Sequence, residues 1–261
     1  MENDTVTVGI DIGSLTTKAA VLKNGDVKSC SITLTGDNGM RAAIGAVEDA
    51  LRAASVEQKH VGRYMYTGAG KGEAPSDCET APEMLCDVKG ALFYHSAARS
   101  VIDMGAENTR VIKCHGNGRV LDFNVNDKCA AGTGVFLDTI AKALEIDLED
   151  LGRMSLSAAE EIAISSTCSV FAESEVVGLI ARSADRASIL AGIHKSIADR
   201  VYGQAKRAGI GQPVIFVGGG ARNIGIVECM RQRMQLEILV PEKPQSIGAV
   251  GAAIIARDRS H

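Results

Sequence analysis

Two stretches of the chain place apolar and polar residues in the same order. Residues 5–27 (TVTVGIDIGSLTTKAAVLKNGDV) contain a β-branched apolar run, a polar turn, a second apolar run and an Asn-Gly turn. Residues 98–125 (ARSVIDMGAENTRVIKCHGNGRVLDFNV) repeat this plan about 90 positions later, and in both stretches the first run ends in Asp-x-Gly. The pattern predicts two β-hairpins, and their repetition predicts two domains of similar topology.

Helical periodicity follows each predicted hairpin. It predicts one helix within residues 38–56 and three more within residues 133–146, 168–183 and 186–209. The remaining pattern predicts a buried strand, a Gly-rich turn and a helix over 213–234, then a strand, a Pro-flanked loop and a small-residue helix over 236–258. We place the boundary near Phe93–Arg99, which gives a first domain of residues 1–95 with a returning helix at about 245–261, and a second domain of 96–244.

Composition excludes several classes of protein. The 261 residues can bury a large core, and 46% hydrophobic with 23% charged residues is ordinary for a globular protein. A net charge of −4 argues against nucleic-acid binding, and no apolar run approaches the roughly 18 residues of a membrane span. The acidic N-terminus does not resemble a signal peptide. We therefore expect a cytoplasmic protein with neither nucleic-acid nor membrane partners.

The two Asp-Gly turns carry the residues expected of a phosphate site. In DIGSLTTK, Asp11 ends a strand, Gly13 allows close backbone approach, Lys18 can neutralise a phosphate, and hydroxyl or N–H donors come from Ser14, Thr16 and Thr17. Asp103 takes the equivalent place in DMGAEN. A single turn of this kind is most often an ordinary hairpin. We expect the two turns to face each other and to hold the phosphates of a magnesium–nucleotide.

A glycine-rich segment supports this interpretation of the turns. FVGGGARN follows a predicted buried strand, and its glycines form a backbone platform for an adenine or a ribose; the segment supplies Gly218, Gly219, Gly220 and Asn223.

Two of the seven cysteines share a context that the others lack. Cys129 in NDKCAAGTG and Cys168 in ISSTCSVFAESEV each precede a predicted helix. The positive end of a helix stabilises a thiolate, and it equally stabilises an anionic iron–sulfur cluster. Either cysteine alone can equally be interpreted as a small buried hydrophobic residue. A cubane cluster takes four thiolates, which two cysteines per chain supply in a two-fold dimer.

The order of these elements resembles the superfamily of actin, sugar kinases and heat-shock chaperones, and SIGAVGAA resembles its C-terminal connecting helix. The resemblance implies an α/β protein of two ribonuclease-H-like domains with a nucleotide cleft between them, in which a hinge motion accompanies ATP hydrolysis.

A closer resemblance runs along nearly the whole chain. The segments GIDIGS, NDKCAAGTG, AISSTCSVFAESEV, AGIHKSIADRV, GGGARN and GAVGAA are similar to those of the ATP-dependent activators of 2-hydroxyacyl-CoA dehydratases and the ATPase subunits of benzoyl-CoA reductase. This resemblance implies a homodimer bridged by one 4Fe–4S cluster, with Cys129 and Cys168 as ligands. It also implies ATP, ADP and Mg²⁺ as ligands, and ferredoxin or flavodoxin as electron donor. The partner it implies is an iron–sulfur dehydratase or reductase of CoA thioesters.

The chain departs from the activator pattern at its second turn. Activators carry Gly-Gly-Gln-Asp, whereas this chain has Gly105, Ala106, Glu107 and Asn108. We expect Gly105 and Ala106 to line the nucleotide and Glu107, with Asp11 and Asp103, to be catalytic, although a glutamate puts the water-orienting group in doubt. The departure keeps open a benzoyl-CoA reductase subunit, which pairs with a sister chain in a pseudo-symmetric dimer.

Two other classes use the same frame. An amino-sugar kinase needs a catalytic carboxylate and an acceptor site, for which the chain shows no clear insertion. An actin-like assembly protein does not need Cys129 or Cys168. His194, in a predicted helix, is interpreted as a hydrogen-bonded structural residue.

Overall fold

The structure of the protein is a computed structural model that describes residues 5–126, 133–164 and 169–259. In chain order its elements are β1 (Val6–Ile12), β2 (Thr16–Lys23), β3 (Asp26–Leu34), α1 (Gly39–Ala54), β4 (Val61–Thr67), β5 (Glu79–Thr80), α2 (Glu83–Tyr94), β6 (Ser100–Met104), β7 (Thr109–Cys114), β8 (Val120–Asn126), α3 (Gly134–Leu144), α4 (Leu151–Leu156), α5 (Ser169–Ala181), α6 (Arg186–Ala208), β9 (Val214–Val217), α7 (Ile224–Met234), β10 (Ile238–Leu239) and α8 (Ile247–Asp258). Short 3-10 turns lie at Gln58–His60, Lys71–Glu73, Gly219–Arg222 and Pro244–Ser246.

The chain divides into two compact units. The first consists of the described residues of Met1–Ala98, Cys114–Leu121 and Pro241–His261, and the second of Arg99–Lys113 and Asp122–Val240. Helix α8 therefore belongs to the first unit although it closes the chain. The tip of the β7–β8 hairpin also belongs to the first unit, whereas the sequence division assigned it to the second domain.

The first unit is built on a sheet with strand order β3-β2-β1-β4-β5. Strands β1, β2 and β3 pair antiparallel, and β4 pairs parallel to β1. Side chains alternate along β2, as the period of a strand requires: Ala19 and Val21 pack in the cluster that includes α1, while Ala20 and Leu22 pack with α8. A helix therefore covers each face of this sheet.

Glycines bring α8 unusually close to its neighbours in the first unit. A Cβ atom on Gly9 of β1 would collide with the backbone of Ala249, and one on Gly251 would collide with the carbonyl of Cys86 in α2. Nearly all of α8 is buried. The small-residue pattern of this helix thus corresponds to close backbone packing against β1 and α2.

The second unit repeats the plan of the first. Its sheet has strand order β10-β9-β6-β7-β8, in which β6 pairs antiparallel with β7 and parallel with β9. In each unit a central strand therefore has a hairpin partner on one side and a parallel strand on the other. The predicted duplication of the hairpins is confirmed. The apolar core of the second unit lies between the sheet and helices α3, α6 and α7.

Within the described residues, no helix is long and apolar enough to cross a membrane.

Candidate functional site

The first Asp-Gly turn joins β1 to β2. Asp11 near the end of β1 lies opposite Lys18 of β2 in register, and Lys18 Nζ is 3.4 Å from Asp11 Oδ2. Lys18 Nζ also donates to the carbonyl of Thr16 at 3.1 Å. The lysine therefore divides its interactions between the carboxylate and the backbone of the turn.

The polar residues of this turn have different environments. The backbone N–H of Gly13 donates to the carbonyl of Thr16 at 3.1 Å, which closes the turn, and Ser14 at its tip is exposed. Thr17 is fully buried, and its hydroxyl donates to Thr35 Oγ1 at 2.9 Å because Thr35 in turn donates to the Gly13 carbonyl. The hydroxyl of Thr17 thus secures the turn from inside, whereas Ser14 is accessible to a ligand.

Two further groups surround the Asp11 carboxylate. Gly68 follows β4 with a φ of +93°, and a Cβ atom there would lie 2.5 Å from Asp11 Oδ1. A Cβ atom on Gly248, in the first turn of α8, would lie 3.3 Å from Asp11 Oδ2 and 3.3 Å from Asp87 Oδ1. Sequence reasoning missed the buried Asp87 of α2. Its signal was an acid within the apolar segment EMLCDVKGALF.

The second Asp-Gly turn joins β6 to β7. Asp103 lies opposite Arg110 in register, and Arg110 Nη1 donates to Asp103 Oδ2 at 2.7 Å. Gly218 follows β9 with a φ of +84°, and a Cβ atom there would collide with Asp103 Oδ1. Arg110 was also missed, because only the register of the hairpin brings it opposite the aspartate.

The tip of the second turn is bonded to a helix. The backbone N–H of Gly105 donates to the carbonyl of Asn108 at 2.8 Å. The carbonyls of Gly105 and Ala106 accept from the backbone N–H groups of Gly134 and Val135, both at 2.9 Å. These two donors are first-turn amides of α3, which an α-helix leaves without internal partners. Glu107 is exposed at the tip.

The glycine-rich segment lies beside the second turn. Gly218, Gly219 and Gly220 lead into the 3-10 turn after β9, and a Cβ atom on Gly220 would collide with Met104 of β6. Asn223 accepts from the backbone N–H groups of Gly225 and Ile226 at 3.0 and 3.1 Å, so its side chain caps α7.

A buried histidine supports this cap. His194 of α6 is fully buried, with Nε2 3.2 Å from Asn223 Nδ2 and Nδ1 2.7 Å from Ser155 Oγ. Burial lowers the pKa of His194 to about 4. The interpretation of His194 as a hydrogen-bonded structural residue is confirmed.

Both predicted cluster ligands, Cys129 and Cys168, lie outside the described residues, as do residues 127–132 and 165–168 around them. The next described helices, α3 and α5, begin at Gly134 and Ser169. In the described parts of the chain, no group of three or more His, Cys, Asp or Glu residues is arranged to hold a metal ion.

Four of the five described cysteines have a raised pKa. None of the five is in a disulfide. Burial raises the pKa of Cys30, Cys78 and Cys229, and it raises that of Cys86 to about 12. A raised pKa lowers the fraction of thiolate at neutral pH in these four cysteines.

Known proteins match the chain along almost its entire length. The sequence profile of the BadF/BadG/BcrA/BcrD ATPase family matches residues 8–256. The chain belongs to this family. The 2-hydroxyisocaproyl-CoA dehydratase activator of Clostridioides difficile is 40% identical over 97% of this chain and 96% of its own length. A benzoyl-CoA reductase subunit from Thauera aromatica is 29% identical over 96% of this chain and 92% of its own.

Solved structures agree with the family assignment. The chain superimposes with a TM-score of 0.92 and 36% identity on component A of (R)-2-hydroxyglutaryl-CoA dehydratase from Acidaminococcus fermentans, covering 98% of this chain and 99% of that one. The ADPNP-bound activator of the 2-hydroxyisocaproyl-CoA dehydratase from Clostridium difficile gives 0.92 and 39%, covering 98% and 96%. A ROK hexokinase from Thermus thermophilus, at 0.53 and 15% with coverage of 98% and 100%, shares the fold alone. The predicted fold class and family resemblance are confirmed.

Proposed function

We propose that this protein is an ATP-hydrolysis-driven donor of low-potential electrons that activates a CoA-thioester dehydratase. The observation that carries the proposal is its full-length likeness to activators of 2-hydroxyacyl-CoA dehydratases, one of them in complex with the ATP analogue ADPNP. Both cysteines of the iron–sulfur hypothesis fall within the matched span. A ferredoxin or flavodoxin reduces the protein, and an iron–sulfur dehydratase accepts the electron.

The two Asp-Gly turns bind the nucleotide phosphates and Mg²⁺ in this proposal. Mg²⁺ prefers oxygen ligands, often one or two carboxylates together with phosphate oxygens, and Asp11 and Asp103 supply one carboxylate from each unit. Gly68 and Gly218 support this assignment. A side chain at Gly68 would fill the space beside the Asp11 carboxylate, and one at Gly218 would fill the space beside that of Asp103. The other nucleotide-binding groups in this proposal are Ser14, Lys18 and the glycine-rich segment. Thr17 contributes through its backbone and its support of the turn.

Cys129 and Cys168 bind the cluster together with the same pair from a second copy. This assignment is supported by the likeness of the segments NDKCAAGTG and ISSTCSVFAESEV to those of the activators. Four thiolates from two chains satisfy a 4Fe–4S cluster on a two-fold axis. The cluster supplies one-electron transfer when it is bound.

A direct hydrogen-bonded path links the second turn to the polypeptide after Cys129. Gly134 and Val135 donate to Gly105 and Ala106 at 2.9 Å, so a displacement of the turn moves the first residues of α3. Helix α3 is the first described helix after Cys129. We infer that nucleotide hydrolysis at the turn reaches the cluster segment by this route.

The likeness to the benzoyl-CoA reductase chain of Thauera aromatica supports a second candidate, an ATPase subunit of a reductase. In that case the chain pairs with a sister subunit, and the cluster lies on a pseudo-two-fold axis. The two candidates differ in oligomer composition. The protein expressed alone forms an iron-containing homodimer if it is an activator, and requires the sister chain if it is part of a reductase.

Anaerobic purification with iron–sulfur reconstitution tests the proposal. We expect a brown dimer with about four iron atoms, ATP hydrolysis, and ATP-dependent reduction of a partner dehydratase. Cys129→Ser and Cys168→Ser should each abolish the colour and the electron transfer. Cys229→Ser is the matched control, because Cys229 is a half-buried cysteine of α7. Colourless wild-type protein after reconstitution, or iron loss in the control alone, contradicts the cluster assignment.

A further inference from the structure

The aspartate of each turn is held between a cross-strand cation and a glycine. Asp103 has Arg110 opposite it on β7, and Asp11 has Lys18 opposite it on β2. On the other side, the strand parallel to the central strand ends in a positive-φ glycine, Gly218 or Gly68, whose missing Cβ makes room for the carboxylate. The same arrangement in two separate units makes any difference between them informative.

The two cations hold their carboxylates differently. Arg110 Nη1 lies 2.7 Å from Asp103 Oδ2, within the range of a strong charge-assisted hydrogen bond, whereas Lys18 Nζ lies 3.4 Å from Asp11 Oδ2. Lys18 also donates to Thr16. Both pairs are largely buried, with side chains 13% and 11% exposed for Arg110 and Asp103 and 13% and 18% exposed for Lys18 and Asp11, so water screens either interaction little. Asp103 is thus in the shorter of two similarly buried ion pairs.

We propose that Arg110 is a positioning residue that fixes the Asp103 carboxylate and, by neutralising it, weakens the attraction of Asp103 for the divalent cation that accompanies the nucleotide. The inference rests on the proposed function, in which Asp103 is one of the two magnesium-binding carboxylates. Arginine remains protonated at every working pH, so this neutralisation is constant. Arg110 therefore lowers the affinity for the divalent cation and, in return, holds Asp103 in a single orientation.

This role predicts opposite effects on affinity and on turnover. In Arg110→Met, Asp103 loses both the cation that neutralises it and its fixed orientation, and a bound Mg²⁺ becomes its counter-charge. Isothermal titration should show that Mg²⁺ strengthens ADP binding about tenfold more than in the wild type, the scale of one charge-assisted hydrogen bond. ATP hydrolysis should fall about tenfold, because the carboxylate is no longer held in one geometry. A purely structural role for Arg110 does not produce this opposite pair of changes.

Two matched variants sharpen the measurement. Arg110→Gln keeps a hydrogen-bond donor without the charge and should also increase the effect of Mg²⁺, whereas Arg110→Lys should lie between wild type and Arg110→Gln. Lys113→Met removes a positive charge from the same strand, three positions from Arg110 and opposite Ser100. Lys113→Met should change neither the effect of Mg²⁺ on ADP binding nor the rate of ATP hydrolysis. Thermal unfolding shows which variants are folded. If Arg110→Met does not fold, the results for Arg110→Gln and Arg110→Lys decide the outcome.

A double-mutant cycle isolates the action through Asp103. In an Asp103→Asn background, Arg110→Met should leave the effect of Mg²⁺ on ADP binding unchanged, because the carboxylate on which Arg110 acts is gone. The inference is overturned if Arg110→Met leaves that effect unchanged or reduces it, or if the effect persists in the Asn background. Failure of the proposed function looks different. In that case the wild-type protein itself shows no Mg²⁺-dependent ADP binding and no hydrolysis.

Discussion

The two Asp-Gly turns have the same backbone plan but different neighbours. Asp11 in the first unit lies close to the buried Asp87 and to the first turn of α8, a helix packed tightly on β1 and α2. In the second turn, the carbonyls of Gly105 and Ala106 accept hydrogen bonds from the first-turn N–H groups of α3. One turn thus lies beside the buried helices α2 and α8 of its unit, and the other is bonded to the helix that follows Cys129 along the chain. Under the proposed function, we infer that the first turn anchors the nucleotide and that the second turn responds to it.

Gly218→Ala should have the largest effect. Gly218 has a φ of +84° and a ψ of −178°, a conformation essentially restricted to glycine, and a Cβ atom there collides with Asp103. We expect a loss of at least about 2 kcal/mol of unfolding free energy. ADP binding should weaken about a hundredfold as Asp103 is displaced. Urea denaturation and titration calorimetry measure the two.

The control for Gly218→Ala is Gly45→Ala in α1, where a Cβ atom meets nothing within 4 Å. This helix substitution should raise stability by about 0.5–1 kcal/mol and leave ADP binding unchanged. If Gly218→Ala leaves both stability and ADP binding as Gly45→Ala does, Gly218 does not make room for the Asp103 carboxylate.

Acid should destabilise the second unit through His194. Burial lowers the pKa of His194 to about 4 from its ordinary 6.5, so the unfolded chain binds a proton that the folded chain excludes. Stability from this residue is therefore complete above pH 6.5 and is lost as the pH falls towards 4. Between pH 7 and pH 5 we expect a loss of about 2 kcal/mol from this group.

Urea denaturation of wild type and His194→Gln at both pH values measures this contribution. The variant should be less stable at pH 7, because the hydrogen bonds with Ser155 and Asn223 change, but its stability should fall less on acidification. Equal pH dependence in the two proteins contradicts the assignment of a buried neutral histidine.

The link between the second turn and α3 should show the smallest effect. Gly134→Pro removes the N–H that donates to Gly105 and puts the ring Cδ where the hydrogen lies, so the Gly105 carbonyl is also pushed away from the first turn of α3. Loss of this contact should reduce the electrons transferred per ATP hydrolysed at least about fivefold, since one hydrogen bond alone contributes about 1 kcal/mol. Hydrolysis itself should remain close to wild type.

Gly134→Ala is the matched control, because it adds the same Cβ atom, 3.3 Å from Ala106 Cα, but keeps the N–H. A ratio that falls equally in Gly134→Ala and Gly134→Pro assigns the effect to crowding and contradicts a hydrogen-bonded link. A ratio unchanged in both shows that the second turn does not act through α3.

Local pattern was sufficient for most of the fold. Apolar alternation and Asn-Gly turns predicted both hairpins, and the pattern of small residues predicted the last helix. Helix α2 was not predicted as an element. Its sequence EMLCDVKGALFY mixes charges with apolar residues, and it is buried because α8 packs against it through Gly90 and Gly251. Such packing joins residues more than 150 positions apart, and no local pattern records it.

The candidate site shows the same division. Asp11, Asp103, Lys18 and the glycine-rich segment stand out in the sequence, because strand ends followed by glycine are visible locally. Thr17 looked like a ligand for phosphate, but its hydroxyl points to Thr35, which lies 18 positions away. Asp87 and Arg110 were missed because only helix packing and strand register bring them beside the two aspartates. Glu107 and the two cluster cysteines stay predictions.

The sequence by itself determined the family, the duplicated strand–turn–strand plan and the place of an aspartate near the end of each first strand, because each is visible in short motifs. Only the tertiary structure decided what surrounds those aspartates: a cation across the hairpin and a glycine after the parallel strand, with Asp87 of α2 near Asp11 in the first unit. Hydrogen bonds and ion pairs act over about 3–4 Å, so their partners are known only once strands and helices far apart in the chain have been packed together.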